Sequence, residues 1–425
     1  MIKLRERDKD LIDDWYVGCV TKRVQENIQK NFFDKIGQNI QESRQSLEDV
    51  LALKKKPKYT LQKENVGGLH ITWARGRTQV TVDLSKEEIA KVVRLIKELI
   101  ELLYDDKFLR ILLVESEEKV TEYVKDKEQV SEYIKDTHAL YKKENVHDTN
   151  KLKVMNSIVE LFIYYELLDS EQKEIKLKQE LYGRLNIRAC PYCNRQFIDP
   201  IAIKNEENEE IEKRYNTGDL DHILPKSQYP LYAVSLWNLT PCCKTCNETF
   251  KSSDESPILN PWEDGFGDRV ELTLYPENNE SILNIFFGDT ENFSVRWKVL
   301  QSKNNQSQDT ESNNNQSTQK ITKEDKIKNA ITMFRLNELY TTHRSEIRKL
   351  LATQQKYPEV YDIFLSRFDN GATEKTKPIE EEDYQTMVLA RLTHDIHKMN
   401  FEIDMLNNPE LRDTGPKSAE DSDTE

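Results

Sequence analysis

Two pairs of cysteines stand two residues apart in this chain, an arrangement that commonly holds a zinc ion. The pairs are Cys190-Pro-Tyr-Cys193 and Cys243-Lys-Thr-Cys246. Both thiolates of a pair can converge on one side of a turn, and two such knuckles complete the tetrahedral four-sulfur shell that Zn²⁺ prefers. A redox Cys-x-x-Cys needs only one pair, so a structural zinc site is predicted. Cys242 breaks the spacing and is predicted to be a small core residue.

The segment between and after the knuckles carries residues that could hold a second cation and move a proton. Asp221 and His222 stand side by side, Asn238 follows, and Asn247 comes directly after the last cysteine. A carboxylate oxygen and an amide oxygen would hold one hard cation, Mg²⁺ or Mn²⁺, and leave positions for a phosphate oxygen and water. A neutral imidazole beside this cation can accept a proton from the attacking water. The predicted chemistry is metal-dependent hydrolysis of a phosphodiester bond.

The order of these residues resembles the zinc-bearing HNH (ββα-metal) endonucleases. The matching stretches are the two knuckles, Asp221-His222-Ile-Leu-Pro-Lys-Ser, Asn238-Leu and Cys246-Asn247-x-x-x-Lys251. The resemblance implies that Asp221 and Asn247 bind the catalytic metal and that His222 is the general base. It also implies that Asn238 fixes the orientation of the imidazole.

Basic residues surround this motif, and Lys226 and Lys251 are the best placed of them to contact phosphate groups of a nucleic acid. Salt pairing with neighbouring acidic residues is an equally open alternative. An RNA-directed HNH nuclease would share all of these residues, although DNA is the expected substrate. A non-catalytic zinc scaffold or adaptor is the alternative from another functional class, and such a protein would have no use for the Asp221-His222 pair.

A narrower resemblance extends beyond the motif. The stretch Pro257–Pro261, with Asp264 after it, and the stretch Ile331–Leu339, leading to Arg344, are similar to the HNH subunits of retron-associated and Septu-type antiphage systems. Those nucleases work beside an ABC/SMC-like ATPase, so the resemblance implies such a partner. The chain has no Walker A motif, and ATP dependence would therefore come from another protein. The resemblance covers about 184–350, and the helical region before it could bind the partner.

Composition sets limits on these expectations. The chain of 425 residues has a formal net charge of −14, whereas nucleic-acid-binding proteins are usually basic. A nucleic acid must therefore meet a local basic patch or another subunit. A charged N-terminus and the lack of an apolar run of 18 residues predict a cytoplasmic protein without membrane contact.

Helical spacing of apolar residues prevails along the chain, so the predicted fold class is α+β and mainly helical, with a central ββα-metal module. Alternating residues predict a β-hairpin within Tyr59–Leu84, and Ser85-Lys-Glu-Glu88 has the spacing of a capping box that opens a helix to about Tyr104. Between 269 and 299 the stretches 270–274, 282–286 and 295–299 are predicted to be extended. The predicted organisation is a helical domain with a small hairpin (1–183), the nuclease module with its zinc knuckles (184–262), a β-rich extension (263–300), a flexible polar loop (301–320), a helical C-terminal region (321–407) and an acidic disordered tail (408–425).

Overall fold

The fold is taken from a computed structural model of the whole chain. The structure describes residues 1–5, 7, 9–37, 40–53, 59–63, 68–75, 78–141, 149–169, 171–172, 175–204, 211–252, 254–300, 321–356 and 384–398. The predicted polar loop at 301–320 and the predicted acidic tail at 408–425 lie outside these residues.

Helices dominate the described residues, in agreement with the predicted class. The α-helices are α1 Asp14–Ile28, α2 Asp34–Ile36, α3 Arg44–Ala52, α4 Lys86–Leu103, α5 Asp106–Val114, α6 Glu117–Tyr123, α7 Glu128–Tyr141, α8 Thr149–Val159, α9 Leu177–Leu185, α10 Ile282–Phe286, α11 Lys323–Met333, α12 Leu336–Thr341, α13 Arg344–Lys356 and α14 Ala390–Lys398. Short turns of 3₁₀ or π form lie at Lys9–Asp13, Gln29–Phe33, Tyr165–Asp169, Pro230–Tyr232, Leu236–Asn238, Thr245–Lys251 and Gly267–Arg269. None of the described helices is long and apolar enough to cross a membrane.

The strands are short and form small sheets. They are β1 Tyr59–Lys63, β2 Leu69–Arg75, β3 Thr78–Leu84, β4 Glu171–Gln172, β5 Ile175–Lys176, β6 Ile201–Lys204, β7 Ile211–Tyr215, β8 Asp219–His222, β9 Leu239–Cys242, β10 Val270–Pro276 and β11 Phe293–Val299. The predicted hairpin is confirmed as β2 and β3, with Ile71 opposite Val82, and β1 adds a third antiparallel strand beside β2. Residues 76 and 77, between these two strands, lie outside the described residues.

The capping box predicted at the start of α4 is confirmed. The Ser85 hydroxyl accepts a hydrogen bond from the Glu88 amide, and the Glu88 carboxylate accepts one from the Ser85 amide at 2.7 Å. These bonds satisfy backbone N–H groups that have no partner within the helix. Helix α4 then buries an apolar face that includes Ile89, Val93 and Ile96, and it packs against α3, α5 and α7.

The middle of the chain folds in the order strand, strand, helix. Strands β8 and β9 are antiparallel, with Asp221 opposite Thr240 and His222 opposite Leu239. The turn Thr245–Lys251, wound as a π-helix and called the site helix below, follows β9 directly. Strand β8 ends at His222, so the Asp221-His222 pair lies at its C-terminal end. The site helix contacts this end through Lys251.

The extension after the site helix differs in part from the prediction. Strands β10 and β11 pair over their whole length, from Val270 opposite Val299 to Pro276 opposite Phe293. Residues 282–286 were expected to be extended but form the short helix α10, so this prediction is wrong. The Ser281 hydroxyl accepts a hydrogen bond from the Leu283 amide and caps the helix at its N-terminus.

Both ends of the described chain pack onto the cysteine-rich region. The Ile2 amide donates to the Pro191 carbonyl, and the Leu4 amide donates to the Pro261 carbonyl. The Asn194 side chain, just after Cys193, donates hydrogen bonds to the Tyr384 and Met387 carbonyls of the C-terminal region. One hydrophobic core joins the N-terminal helices, the cysteine-rich region and the C-terminal helices.

Candidate functional site: a cysteine cluster beside an Asp-His strand end

The two predicted knuckles meet in one cluster. The sulfur atoms of Cys190, Cys193, Cys243 and Cys246 lie within 4.8 Å of one another, and all four residues are buried. The sulfurs of Cys193 and Cys243 are 3.9 Å apart. Tetrahedral sulfurs bound to zinc at about 2.3 Å would be separated by about 3.8 Å. The cluster could therefore hold a metal ion such as zinc, and it uses Cys243 rather than Cys242, as predicted.

Local backbone hydrogen bonds shape each knuckle. In the first knuckle the Asn194 amide donates to the Cys190 carbonyl at 2.7 Å, and Asn194 takes a left-handed conformation with φ 48°. In the second knuckle the Cys246 amide donates to the Cys243 sulfur at 3.4 Å. Hydrogen bonds from the other cluster thiols lower the pKa of Cys243, whereas burial raises the pKa of Cys242 outside the cluster. Cys242 is fully buried outside the cluster, as expected of a core residue.

Asp221 is buried and already neutralised by a cation from within the chain. Its Oδ2 accepts hydrogen bonds from the Tyr192 hydroxyl and from the Lys251 ammonium, both at 2.6 Å. The Lys251 ammonium also donates to the His222 carbonyl at 2.6 Å. The side chains of Lys251 and Asp221 are only 8% and 7% exposed, so this is a buried ion pair. The structure thus places Lys251 against the predicted metal ligand rather than on an open surface.

The site helix lies across β8 so that two residues of each element face one another. Asn247 donates from its side-chain amide to Asp219 Oδ2 at 3.3 Å, one turn before Lys251 reaches Asp221. Asp221 and Asn247 therefore come from facing elements, but the Asn247 side-chain amide bonds Asp219 rather than Asp221. Asp219 had no assigned role in the sequence analysis, and its two-residue spacing from Asp221, which places both side chains on one face of the strand, was the available signal.

His222 is held in one tautomer at the strand end. Its Nε2 lies 2.9 Å from the Ala233 carbonyl oxygen. Because a carbonyl only accepts hydrogen bonds, Nε2 carries the proton and Nδ1 is left with a lone pair in the neutral ring. Burial lowers the pKa of His222 to about 4; the Lys226 and Lys251 charges act in the same direction, and the Ala233 bond and Asp221 oppose it. The imidazole is therefore neutral at pH 7.

Asn238 forms hydrogen bonds with the loop that carries Ala233, the hydrogen-bond partner of His222. Its Oδ1 accepts from the Leu224 amide at 2.6 Å, and its Nδ2 donates to the Leu224 and Tyr232 carbonyls at 3.1 Å each. The side chain is fully buried. Since both amide hydrogens go to carbonyls, Asn238 positions Ala233 through the loop and orients the imidazole only indirectly.

One wall of the site comes from the N-terminal helical region. The Tyr165 ring meets the His222 ring edge-on, with centroids 4.9 Å apart and planes at 73°. Lys226 is exposed, and its Nζ lies 4.7 Å from the centre of the Tyr165 ring and 3.9 Å from Glu166. Tyr165 gives no signal in the sequence because it lies far upstream of the motif. Tyr192 gives none because the residues inside a knuckle are not metal ligands.

Comparison with known proteins gives a partial similarity. The chain is 29% identical to the Septu protein PtuB of Bacillus thuringiensis over 107 residues, which span 24% of this chain and 42% of that protein. The aligned part thus covers less than half of this relative. No protein-family profile and no solved structure matches the chain.

Proposed function

We propose that this protein is a metal-dependent HNH endonuclease that hydrolyses phosphodiester bonds in nucleic acid. The observation that carries the proposal is the state of His222. Its Nε2 is fixed to the Ala233 carbonyl, and it follows the buried carboxylate of Asp221 on a strand-strand-helix framework, where burial lowers its pKa.

The proposed general base is Nδ1 of His222. With Nε2 committed to Ala233, Nδ1 accepts the proton of the attacking water while the ring is neutral. Asn238 maintains this arrangement because it holds the loop through the Leu224 and Tyr232 backbone. Lys226, exposed at the edge of the site, supplies positive charge for a phosphate group of the substrate.

The proposed ligands of a catalytic Mg²⁺ or Mn²⁺ are the Asp221 carboxylate and the Asn247 amide oxygen. Both are hard oxygen donors of the kind that such an ion prefers. The Lys251 ammonium is bonded to the Asp221 carboxylate, so an incoming ion would have to displace it. Such an ion would supply Lewis-acid stabilisation of the phosphate and leaving oxygens. Lys251 is thereby proposed as a charge partner of Asp221 rather than as a direct phosphate contact.

The four-cysteine cluster is proposed to hold structural zinc. Cys243 and Cys246 flank the start of the site helix, and Cys190 and Cys193 bring Tyr192 to Asp221. A metal in this cluster would fix the site helix to the end of β9, because Cys243 follows β9 directly and Cys246 lies in the helix. The zinc therefore has no step in the proposed hydrolysis.

The proposed biological role is antiphage defence, with DNA as the expected substrate and an ATPase as partner. The partial similarity to a Septu protein supports the defence role. The net charge of −14 supports a partner that brings the nuclease to nucleic acid, because an acidic protein is repelled by phosphates.

A non-catalytic zinc scaffold remains the second candidate, favoured by one observation. The Lys251 ammonium occupies the Asp221 carboxylate and closes the position where a metal would bind. A scaffold would keep this ion pair permanently, whereas a nuclease must release it when a divalent ion binds.

The test is metal-dependent cleavage by the full chain, alone and with the proteins that co-purify with it. Plasmid DNA and total RNA are incubated with Mg²⁺ or Mn²⁺ and wild type, Asp221→Asn, or the exposed control Asp254→Asn. We expect the wild type and the control to cleave and Asp221→Asn to lose at least ~100-fold. Cleavage by Asp221→Asn at the wild-type rate, with zinc content unchanged, would contradict the proposed metal site.

A further inference from the structure

We infer that Tyr165, from the N-terminal helical region, is a positioning residue of the nuclease site, with its ring as the wall against which the His222 imidazole rests. This inference rests on the proposed function and extends it to a part of the chain outside the HNH resemblance. It follows that the N-terminal region contributes a side chain to the site.

The Tyr165 ring supplies a second constraint on the orientation of the His222 imidazole. The hydrogen bond from Nε2 to Ala233 fixes one atom of the ring, and this atom lies close to the Cβ–Cγ axis about which the ring turns, so the bond alone holds the ring plane loosely. The Tyr165 ring, edge-on to His222 at 4.9 Å, opposes this rotation because the two rings would collide or lose contact. Together the two contacts determine the direction in which Nδ1 points.

Tyr165 is itself anchored by buried neighbours. It begins the 3₁₀ turn Tyr165–Asp169, in which Leu167 and Leu168 are buried. From α1, the Asn27 side chain donates to the carbonyls of Leu161 and Phe162 at 2.8 and 3.1 Å, just before the turn. A ring held by such a turn can impose its orientation on a neighbour, which a ring on a loose surface loop could not do.

The same ring supports the exposed cation of the site. The Lys226 ammonium lies 4.7 Å from the centre of the Tyr165 ring, at a distance that allows a cation–π interaction. Lys226 also approaches Glu166 at 3.9 Å, so two consecutive residues of the turn direct it. One aromatic ring thus contacts both the proposed base and the proposed phosphate-binding lysine.

The ring and the hydroxyl of Tyr165 can be separated by substitution. The contacts to His222 and Lys226 are made by the ring, so Tyr165→Phe keeps them and Tyr165→Leu removes them. Tyr164, the preceding residue, is also half-buried and is the matched control. Loss of orientation at the base lowers kcat, whereas loss of a phosphate contact through Lys226→Met raises KM.

The first experiment measures kcat and KM for cleavage, with zinc content and the unfolding temperature as checks on folding. Tyr165→Leu is expected to lose at least ~10-fold in kcat, since misplacement of a reacting group is costly. Tyr165→Phe and Tyr164→Leu should stay within about twofold of wild type in kcat, because in both variants an aromatic ring at position 165 still contacts His222. A wild-type kcat for folded Tyr165→Leu overturns the inference, and so does an equal loss in Tyr165→Phe.

The second experiment does not depend on nuclease activity and so separates this inference from the proposed function. Histidines are isotopically labelled, and the His222 ring signals are assigned by their loss in His222→Gln. At pH 7 Tyr165→Leu should shift and broaden these signals, because the adjacent ring is removed and the imidazole is freed, while Tyr165→Phe should preserve sharp signals near the wild-type positions. Unchanged His222 signals in Tyr165→Leu would overturn the inference even if the wild-type protein cleaves nothing.

Discussion

The buried pair between Lys251 and Asp221 gives the sharpest prediction about the site. Lys251→Met keeps most of the side-chain volume but removes the ammonium that bonds Asp221 Oδ2 and the His222 carbonyl, each at 2.6 Å. Asp221 is 6% exposed, so the variant leaves a carboxylate almost without solvent and with the Tyr192 hydroxyl as its remaining described donor. Removal of one partner from a buried ion pair costs about 3–5 kcal/mol.

The assay is urea unfolding of zinc-loaded protein without Mg²⁺ or Mn²⁺. We expect the free energy of unfolding to fall by about 3 kcal/mol or more in Lys251→Met. Lys244→Met, an exposed lysine just before the same helix, should change it by less than about 0.5 kcal/mol. The double variant Lys251→Met with Asp221→Asn should recover much of the loss, because the uncompensated charge is gone.

Addition of metal then separates the nuclease from the scaffold. If Asp221 belongs to a divalent metal site, Mn²⁺ should replace the missing charge in Lys251→Met. At a concentration of 100 Kd it should raise the free energy of unfolding of this variant by about 2.7 kcal/mol, and that of wild type by less. A Lys251→Met protein as stable as wild type would refute the reasoning on the buried pair. A destabilised variant that gains nothing from Mn²⁺ would refute the proposed cation site.

Three further predictions concern the cysteine cluster, the histidine and the loop. Folded protein should contain about one Zn per chain by elemental analysis, and Cys193→Ser should lower both the zinc content and the unfolding temperature; full folding without any metal in the cluster would contradict this. The folded pKa of His222, about 4, lies below its ordinary value of 6.5, so stability present above pH 6.5 is lost as the pH falls towards 4. His222→Gln escapes this loss, and in denaturant titrations without Mg²⁺ or Mn²⁺ its stability relative to wild type should improve by about 2 kcal/mol from pH 7.5 to pH 5; a constant difference would show that the imidazole is not held neutral. Asn238→Ala should lower the free energy of unfolding by about 3 kcal/mol, since buried groups of Leu224 and Tyr232 lose their partners, and a loss below about 1 kcal/mol would contradict the assigned role of the side chain.

Local patterns in the sequence were sufficient for several features. The choice of Cys243 over Cys242 follows from the two-residue spacing of a knuckle, and the four chosen sulfurs do cluster. The capping box at Ser85 is likewise local, because both of its bonds join residues three apart. The mainly helical character follows from the spacing of apolar residues along the chain.

Other features depend on residues that are distant in sequence or on competing local signals. Nothing near Lys251 reveals that its ammonium is buried, because its partner Asp221 lies 30 residues away on β8. Tyr165 reaches His222 only through the packing of the N-terminal helices onto the loop after β8. The stretch 282–286 has apolar residues that suit a strand or a short helix, and the Ser281 cap decides for the helix.

The central claim is that His222 is the general base of a phosphodiesterase site. Its most direct test is single-turnover cleavage of nucleic acid by wild type and His222→Ala, in the same partner complex and with the same Mg²⁺ or Mn²⁺. His394→Ala, at a half-buried histidine on α14, is the matched control. We predict that His222→Ala keeps its zinc and loses at least ~100-fold in the cleavage rate, while the control cleaves as wild type does. A zinc-loaded His222→Ala protein that cleaves at the wild-type rate would contradict the claim and favour the scaffold.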